Sequence, residues 1–422
     1  MKSWSGLRKL FQKIFIFVHP SVILRELKKK EGTKKTPYSE KDILSVLSTY
    51  VTVEEGMDSV IADKRANNKY GRKHVTRQTV DMYRERLTPD LLYPLFNNIK
   101  QSFYKYNRYN DRHRRPRTFA IDGSVGNANK DLHYTENFQF TKKEKYSQFK
   151  IMTLYDVDHK IPVAQYASAN FDERCACEEY LFKYIHAGDT VIFDAGFYSH
   201  KLFELLCARG IKCIFKAKKN MKVCKKLTAD KMELIVATDK RAIRYDIKYI
   251  QTKTNKYDCN LYLPKESQFY ILTNIMDEPI EHIKKLYHDR WYIEEYYKII
   301  KHYMKEINIK CKKKELIDQE LLLKMILVML ARYFVMISEN NNKTHKRTKS
   351  GSVNFKILLH QLGTTLLDAL IFSNSNKLLT KLVNIALDMV VYNSPGKHNL
   401  RMSIIDKGKW YGQYCHNLHD PP

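Results

Sequence analysis

The hydrophobic pattern changes character several times along the chain. From Ser39 to about residue 106, apolar positions recur at helical spacing. Ser39-Glu-Lys-Asp is a capping-box-like helix start, and Thr88-Pro89-Asp90 places a proline at the first position of another. Three or four helices are predicted there. At residue 118 the texture switches. Thr118-Phe-Ala-Ile is a short apolar run that stops at Asp122-Gly-Ser, and 148–168 reads as two strands joined at Asp158-His159-Lys160. A helix is predicted over 174–186. Thr190-Val-Ile-Phe then repeats the earlier design, a buried strand stopping at Asp194-Ala-Gly, and a helix (199–209) and a strand (Ile211–Ala217) follow. Strand, hairpin, helix, strand, helix, strand is the order of a mixed α/β sheet.

Residues 221–283 alternate short β-like runs (Met232–Val236, Arg244–Ile250, Phe269–Ile275) with charged turns, and read as a β-rich insertion. Helical spacing returns at about 280–305, then at about 315–337, 353–372 and 376–392. A polar, basic loop lies from Asn340 to Ser352, and an irregular basic tail follows Pro395. The predicted organisation is a basic arm and linker (1–36), a helical unit with a DNA-binding reading (37–117), and an α/β core in two pieces (118–220 and 284–340). The insertion (221–283) separates those pieces, and a helical C-terminal region with its tail (341–422) ends the chain. A length of 422 residues accommodates about two or three domains.

Charge narrows the partner. Lys and Arg number 74 against 46 Asp and Glu, a net charge of +28, while 44% of residues are hydrophobic. Cores can form, so the excess is not a mark of disorder; it calls for a polyanion, nucleic acid first and an acidic membrane surface second. The 29 tyrosines suit a basic surface interleaved with aromatics. Segment 74–87 fits either a DNA recognition helix or an ordinary packed amphipathic helix, since periodicity is the same for both. The arginines at 108, 112, 114, 115 and 117 fit either a phosphate-touching linker or a solvated one.

Several classes are disfavoured. The eight cysteines form no C-x2-C pair, which argues against a zinc framework or disulfide scaffold and for a reducing compartment. The apolar run Ile14–Val18 lacks a small-residue cleavage site, so a signal peptide is not expected. The apolar stretch 321–337 is interrupted by Lys324 and Arg332 and reads as a buried core helix rather than a membrane span.

The candidate chemistry lies in three places. Asp122 and Asp194 are each expected just past a buried strand, where ligand groups converge in α/β sheets. Residues 287–301 carry Tyr287, Arg290, Glu294 and Lys301 at offsets 0, 3, 7 and 14. At about 3.6 residues per turn, all four share one helix face. Either this is a surface helix with i,i+4 ion pairs, or its carboxylate serves a metal and its cations serve phosphate oxygens. If the two strands are neighbours, Asp122, Asp194 and Glu294 face one cavity. Divalent cations then relieve the repulsion among three carboxylates. Glu295, about 100° round the helix, is expected to be dispensable.

These residues resemble a known family. Tyr-x2-Arg-x3-Glu-x6-Lys is similar to the signature of IS4-type DDE transposases, matched at all four positions. Ile-Asp-Gly-Ser (121–124) resembles that family's first acidic motif and Phe193-Asp194-Ala-Gly-Phe-Tyr-Ser its second, although Ala195 stands where an arginine is common. Ile-Leu-Thr-Asn (271–274) and Arg290-Trp291 followed by Ile293-Glu294 extend the resemblance over about 118–335.

The resemblance implies an RNase H-like core with a β-strand insertion, and Asp122, Asp194 and Glu294 as the catalytic, metal-binding triad. It implies two Mg²⁺ ions, with Mn²⁺ able to substitute. It also implies DNA contacts from Tyr287, Arg290 and Lys301, and transposon ends and target DNA as partners. Trp291 reads as either a stacking surface for an extruded base or a core residue. Lys216, with Lys218 and Lys219, either positions the DNA backbone or is only solvated. A homodimer holding paired ends is expected, with the helices after 353 as its surface, in a bacterial nucleoid or a eukaryotic nucleus. The competing functions are a nuclease of the same fold without strand transfer, and a non-catalytic DNA-binding derivative.

Overall fold

A computed structural model of the chain describes residues 46–47, 49–51, 57–66, 76–106, 116–141, 146–169, 172–222, 224–225, 234–236, 242–251, 256–264, 269–304, 308–309, 311–342, 351–363 and 390–392. The predicted arm (1–36) and the tail from Pro395 lie outside these residues. Helices α1 (Met57–Ala66), α2 (Arg77–Arg86) and α3 (Pro89–Tyr106) come first. The core follows as β1 (Thr118–Ala128), α4 (Leu132–Glu136), β2 (Gln139–Thr141), β3 (Tyr146–Asp156), β4 (Ile161–Ser168), α5 (Glu173–Tyr180), β5 (Thr190–Phe193), α6 (His200–Ala208) and β6 (Lys212–Lys218). Strands β7 (Leu234–Val236), β8 (Ala242–Gln251), β9 (Lys256–Pro264) and β10 (Phe269–Thr273) lead to helices α7 (Ile280–Asp289) and α8 (Trp291–Lys298). After β11 (Asn308–Ile309) come α9 (Lys314–Asn342), β12 (Gly351–Val353), α10 (Phe355–Gln361) and β13 (Val390–Tyr392).

β4, β3 and β1 pair antiparallel, and β1, β5 and β6 pair parallel. That is the strand arrangement of an RNase H-like core. The strands of 234–273 continue the same sheet, because β10 pairs antiparallel with β6 and is followed outward by β9, β8 and β7. Thr273 and Asn274 pin this junction. Thr273 Oγ1 donates to Cys213 O (2.7 Å), while the Asn274 amide accepts from Cys213 N (2.8 Å) and donates to Ile211 O (2.9 Å).

Three expectations need correction. Asp122 does not lie past the end of its strand: β1 continues to Ala128 because its antiparallel ladder with β3 persists, whereas its parallel ladder with β5 ends at Ile121↔Phe193. The helix expected over 280–305 is not uniform. At Arg290 the bonds tighten to i→i−3 (Arg290 N to Tyr287 O, Ile293 N to Arg290 O), and Ile299–Tyr303 form a π turn. Finally, Gly351–Val353 and Val390–Tyr392 pair as antiparallel strands rather than forming a loop and a helix end; β-branched valines in both favour the extended state. Residues 364–389 of the expected helices lie outside the described residues.

Helix α9 is the spine. Ile317 and Leu321–Leu330 are buried, and the helix packs against α3 and β4. No helix among the described residues is long and apolar enough to cross a membrane. Val80, Leu92, Phe96, Ile99 and Phe103 of the N-terminal helices join Ile151, Tyr296 and Leu321 in one continuous core. Of the two readings of 74–87, burial describes the packed one: Arg84 turns inward, while Asp81 and Glu85 are exposed.

Candidate active site

The end of β5 creates the site. Beyond Ile121↔Phe193, β1 loses its parallel neighbour, and the next residues of the two strands are Asp122 and Asp194. The expectation that the two aspartates sit side by side depended on their strands being adjacent, and they are. Asp122 Oδ1 accepts from its neighbour Gly123 N (2.8 Å). Burial pushes the Asp122 carboxyl up to about 6, with Glu173 and Asp194 adding to the rise and the Gly123 amide and Arg290 opposing it.

Helix α8 closes the gap that β5 leaves. The Tyr297 hydroxyl donates to Asp122 O (2.8 Å) and Ile151 O (3.2 Å), tying the helix to β1 and β3. The Tyr296 hydroxyl donates to Gln165 Oε1 (3.2 Å) on β4. Glu294, in the first turn of α8, accepts from Arg290 Nη2 (2.6 Å), and Arg290 Nη1 stands 4.0 Å from Asp122 Oδ2. Arg290 therefore bridges Asp122 and Glu294. Burial works against its charge, but Tyr287, Asp194, Glu294 and Asp122 outweigh that and raise its affinity for the proton. Lys216 Nζ lies 3.4 Å from Asp194 Oδ1 and 4.9 Å from the Phe269 ring centre. Lys301, on the π turn, has its pKa lowered by burial; Asp122 opposes the shift and Lys150 adds to it, so both lie within its electrostatic reach.

The protein's own cations thus stand among the carboxylates. Among the described residues, no three His, Cys, Asp or Glu side chains are grouped closely enough to hold a metal ion as they stand. The donor chemistry nevertheless suits a hard divalent cation, because Asp122, Asp194 and Glu294 offer only carboxylate oxygens. Asp194 Oδ1 is buried without a hydrogen bond, its Lys216 contact being an ion contact only.

Two residues that sequence reasoning missed also reach this floor. Glu173, the first residue of α5, forms an ion pair with Lys150 of β3. A Cβ on Gly123 would stand 2.5 Å from Glu173 Oε1 and closer still to Lys150 Cε; a Cβ on Gly196 would stand 3.3 Å from Glu173 Oε2. In the sequence Glu173 reads only as an acidic first-turn residue, and no spacing links it to the aspartates.

Beside the site, an open pocket of about 520 Å³ is lined by Phe269, Ile271, Lys284, Tyr287, Arg290 and Trp291, among others. Burial pushes the Tyr287 phenol up to about 12. Trp291 is 40% exposed and is not a core residue. Its indole donates to Glu295 Oε1 (2.9 Å), Lys298 pairs with the same oxygen (2.6 Å), and Lys298 lies over the indole ring. Glu295 therefore holds Trp291, a role its place off the stripe of Tyr287, Arg290 and Glu294 did not suggest.

A sheet of this order, with one aspartate on β1, another just past the neighbouring β5 and a carboxylate-bearing helix across the gap, defines the class of RNase H-like folds. Residues 113–330 match the family described as "Transposase DDE domain", and the chain belongs to that family. Among solved structures, a piggyBac transposase in a synaptic complex with hairpin DNA is similar at 12% identity and a TM-score of 0.46, covering 96% of this chain and 90% of that one. No curated protein sequence matches.

Proposed function

We propose that the chain is a cut-and-paste DNA transposase of the IS4 type, with Asp122, Asp194 and Glu294 as its catalytic carboxylates. One observation carries this reading: β5 stops where β1 continues, which sets Asp122 beside Asp194, and Arg290 links Asp122 to Glu294 across the gap. The three carboxylates would hold two divalent cations, Mg²⁺ with Mn²⁺ able to substitute, which supply Lewis acidity at the scissile phosphodiester when bound. Arg290 and Lys301 bind phosphate oxygens once their carboxylate partners are otherwise neutralised, and Lys216 steers the backbone from β6. Tyr287 and the exposed Trp291 offer aromatic faces at the pocket beside them. Water attacks phosphorus and displaces the 3′-oxygen, leaving a 5′-phosphate and a free 3′-hydroxyl; that hydroxyl then attacks a second phosphodiester, across the duplex or in target DNA, and displaces its 3′-oxygen.

A homodimer holding both ends and residence with DNA in a nucleoid or nucleus belong to the same proposal. The test is cleavage of a plasmid carrying the gene with its flanking DNA. Asp122→Asn, Asp194→Asn and Glu294→Gln should each abolish Mg²⁺-dependent cleavage, and full activity in any of them would remove that residue from the site. A pre-nicked end that fails to join target DNA while cleavage persists would point to a nuclease instead.

A further inference from the structure

Glycine follows Asp122 directly and Asp194 at one remove, and both glycines leave room for the same side chain. Any Cβ at Gly123 would collide with Glu173 Oε1 and Lys150 Cε, and one at Gly196 would press on Glu173 Oε2. The Lys150 and Glu173 side chains are only 13% and 23% exposed, and they pair with each other. The helix that carries Glu173 packs on β1 and β3. Glu173 thus lies across both aspartate segments, one oxygen toward each, with its charge held by a lysine from the strand next to β1.

We propose that Glu173, gripped by Lys150, is a positioning residue that fixes the separation of the Asp122 and Asp194 segments for the cation they share. This rests on the reading of those aspartates given above. Lys150 takes part in the β1–β3 ladder opposite Val125 through its backbone, and its side chain meets Glu173 at the floor of the site. The atoms that a Gly123 methyl would meet are the far ends of two flexible side chains, so Gly123→Ala displaces the pair rather than the backbone.

The test uses the full chain without DNA, with Mn²⁺ as the probe and free Mn²⁺ counted by electron paramagnetic resonance. Glu173→Gln preserves shape and removes charge, and Lys150→Met removes the grip. Both, and Gly123→Ala, should weaken Mn²⁺ binding about tenfold, the lower range for groups that orient metal ligands. Glu173→Asp should fall between, and every variant should remain folded at the temperature of the titration, whatever melting temperature is lost by breaking the pair from one side. Parent-like Mn²⁺ binding in Glu173→Gln and Gly123→Ala, alongside its loss in Asp122→Asn, would overturn the role of Glu173 alone. Parent-like binding in both Asp122→Asn and Asp194→Asn would overturn the site itself, and this inference with it. A melting temperature that falls with Mn²⁺ affinity intact would make Glu173 a packing residue.

Discussion

Asp122 is held in an environment that its own charge opposes. Its carboxyl is pushed up to about 6 from an ordinary 3.8, mainly by burial, and its side chain is 22% exposed. A carboxyl whose pKa is raised on folding stabilises the fold fully below its unfolded value. That stability is lost as pH rises through about 6. Above that pH, in chelator, the ionised group costs on the order of 3 kcal/mol relative to a neutral one. Asp122→Asn should therefore melt higher than the parent at about pH 8 in EDTA, and the gap should close by about pH 4, where the parent is protonated too. Thermal melts at the two pH values decide this; an asparagine variant less stable at both would show that Asp122 is comfortable as an anion. Asp122 is expected to be a local liability, as residues of sites built for ligands often are.

At the scale of elements, the helix 280–303 joins strain to position. It tightens at Arg290, widens into a π turn at Lys301, and is fastened to the sheet by two phenols, of which Tyr297 reaches the backbone of Asp122 itself. Removing the Tyr297 hydroxyl with Tyr297→Phe should cost about 1–2 kcal/mol, the range for a buried hydrogen-bonding group lost. It should also lower cleavage through misplacement of Glu294, while Asp122→Asn remains the more severe change. A Tyr297→Phe variant with parent-like cleavage and stability would detach the helix anchor from function. The helix and its four marked residues were legible because their offsets match the helical period. The two aspartates were legible because apolar runs stop at them. The length of β1 was not, since nothing local says that β3 will keep pairing after β5 ends. Nor was Glu173, whose meaning comes from glycines 50 and 23 residues away. The strands at 351–353 and 390–392 were missed because each is only three residues long, too short for a period to show.

On the scale of the whole molecule, the covalent boundary near 117 is not a boundary of the core. The side chains of α2 and α3 share one apolar cluster with β3, α8 and α9, and a buried polar lock joins α2 to α9. Arg84 Nε donates to Gln319 Oε1 (3.1 Å), and its Nη2 pairs with Glu320 Oε2 (3.1 Å). Gln319 Nε2 donates back to Arg84 O (2.8 Å) and to Leu87 O. The two charged side chains are 8% and 3% exposed. Breaking such a pair from one side strands a buried charge and costs about 3–5 kcal/mol, whereas replacing both partners with apolar groups is often neutral. Arg84→Met should therefore destabilise strongly, and Arg84→Met with Glu320→Met should recover most of the loss. Because the core is shared, hydrogen exchange in Arg84→Met should rise together in α2, in α9 and in β1. Exchange that rises in α2 while β1 stays protected would mean that the N-terminal helices unfold as their own unit. The single-core arrangement would then be wrong, and the helices would be free to move as a separate DNA-gripping arm.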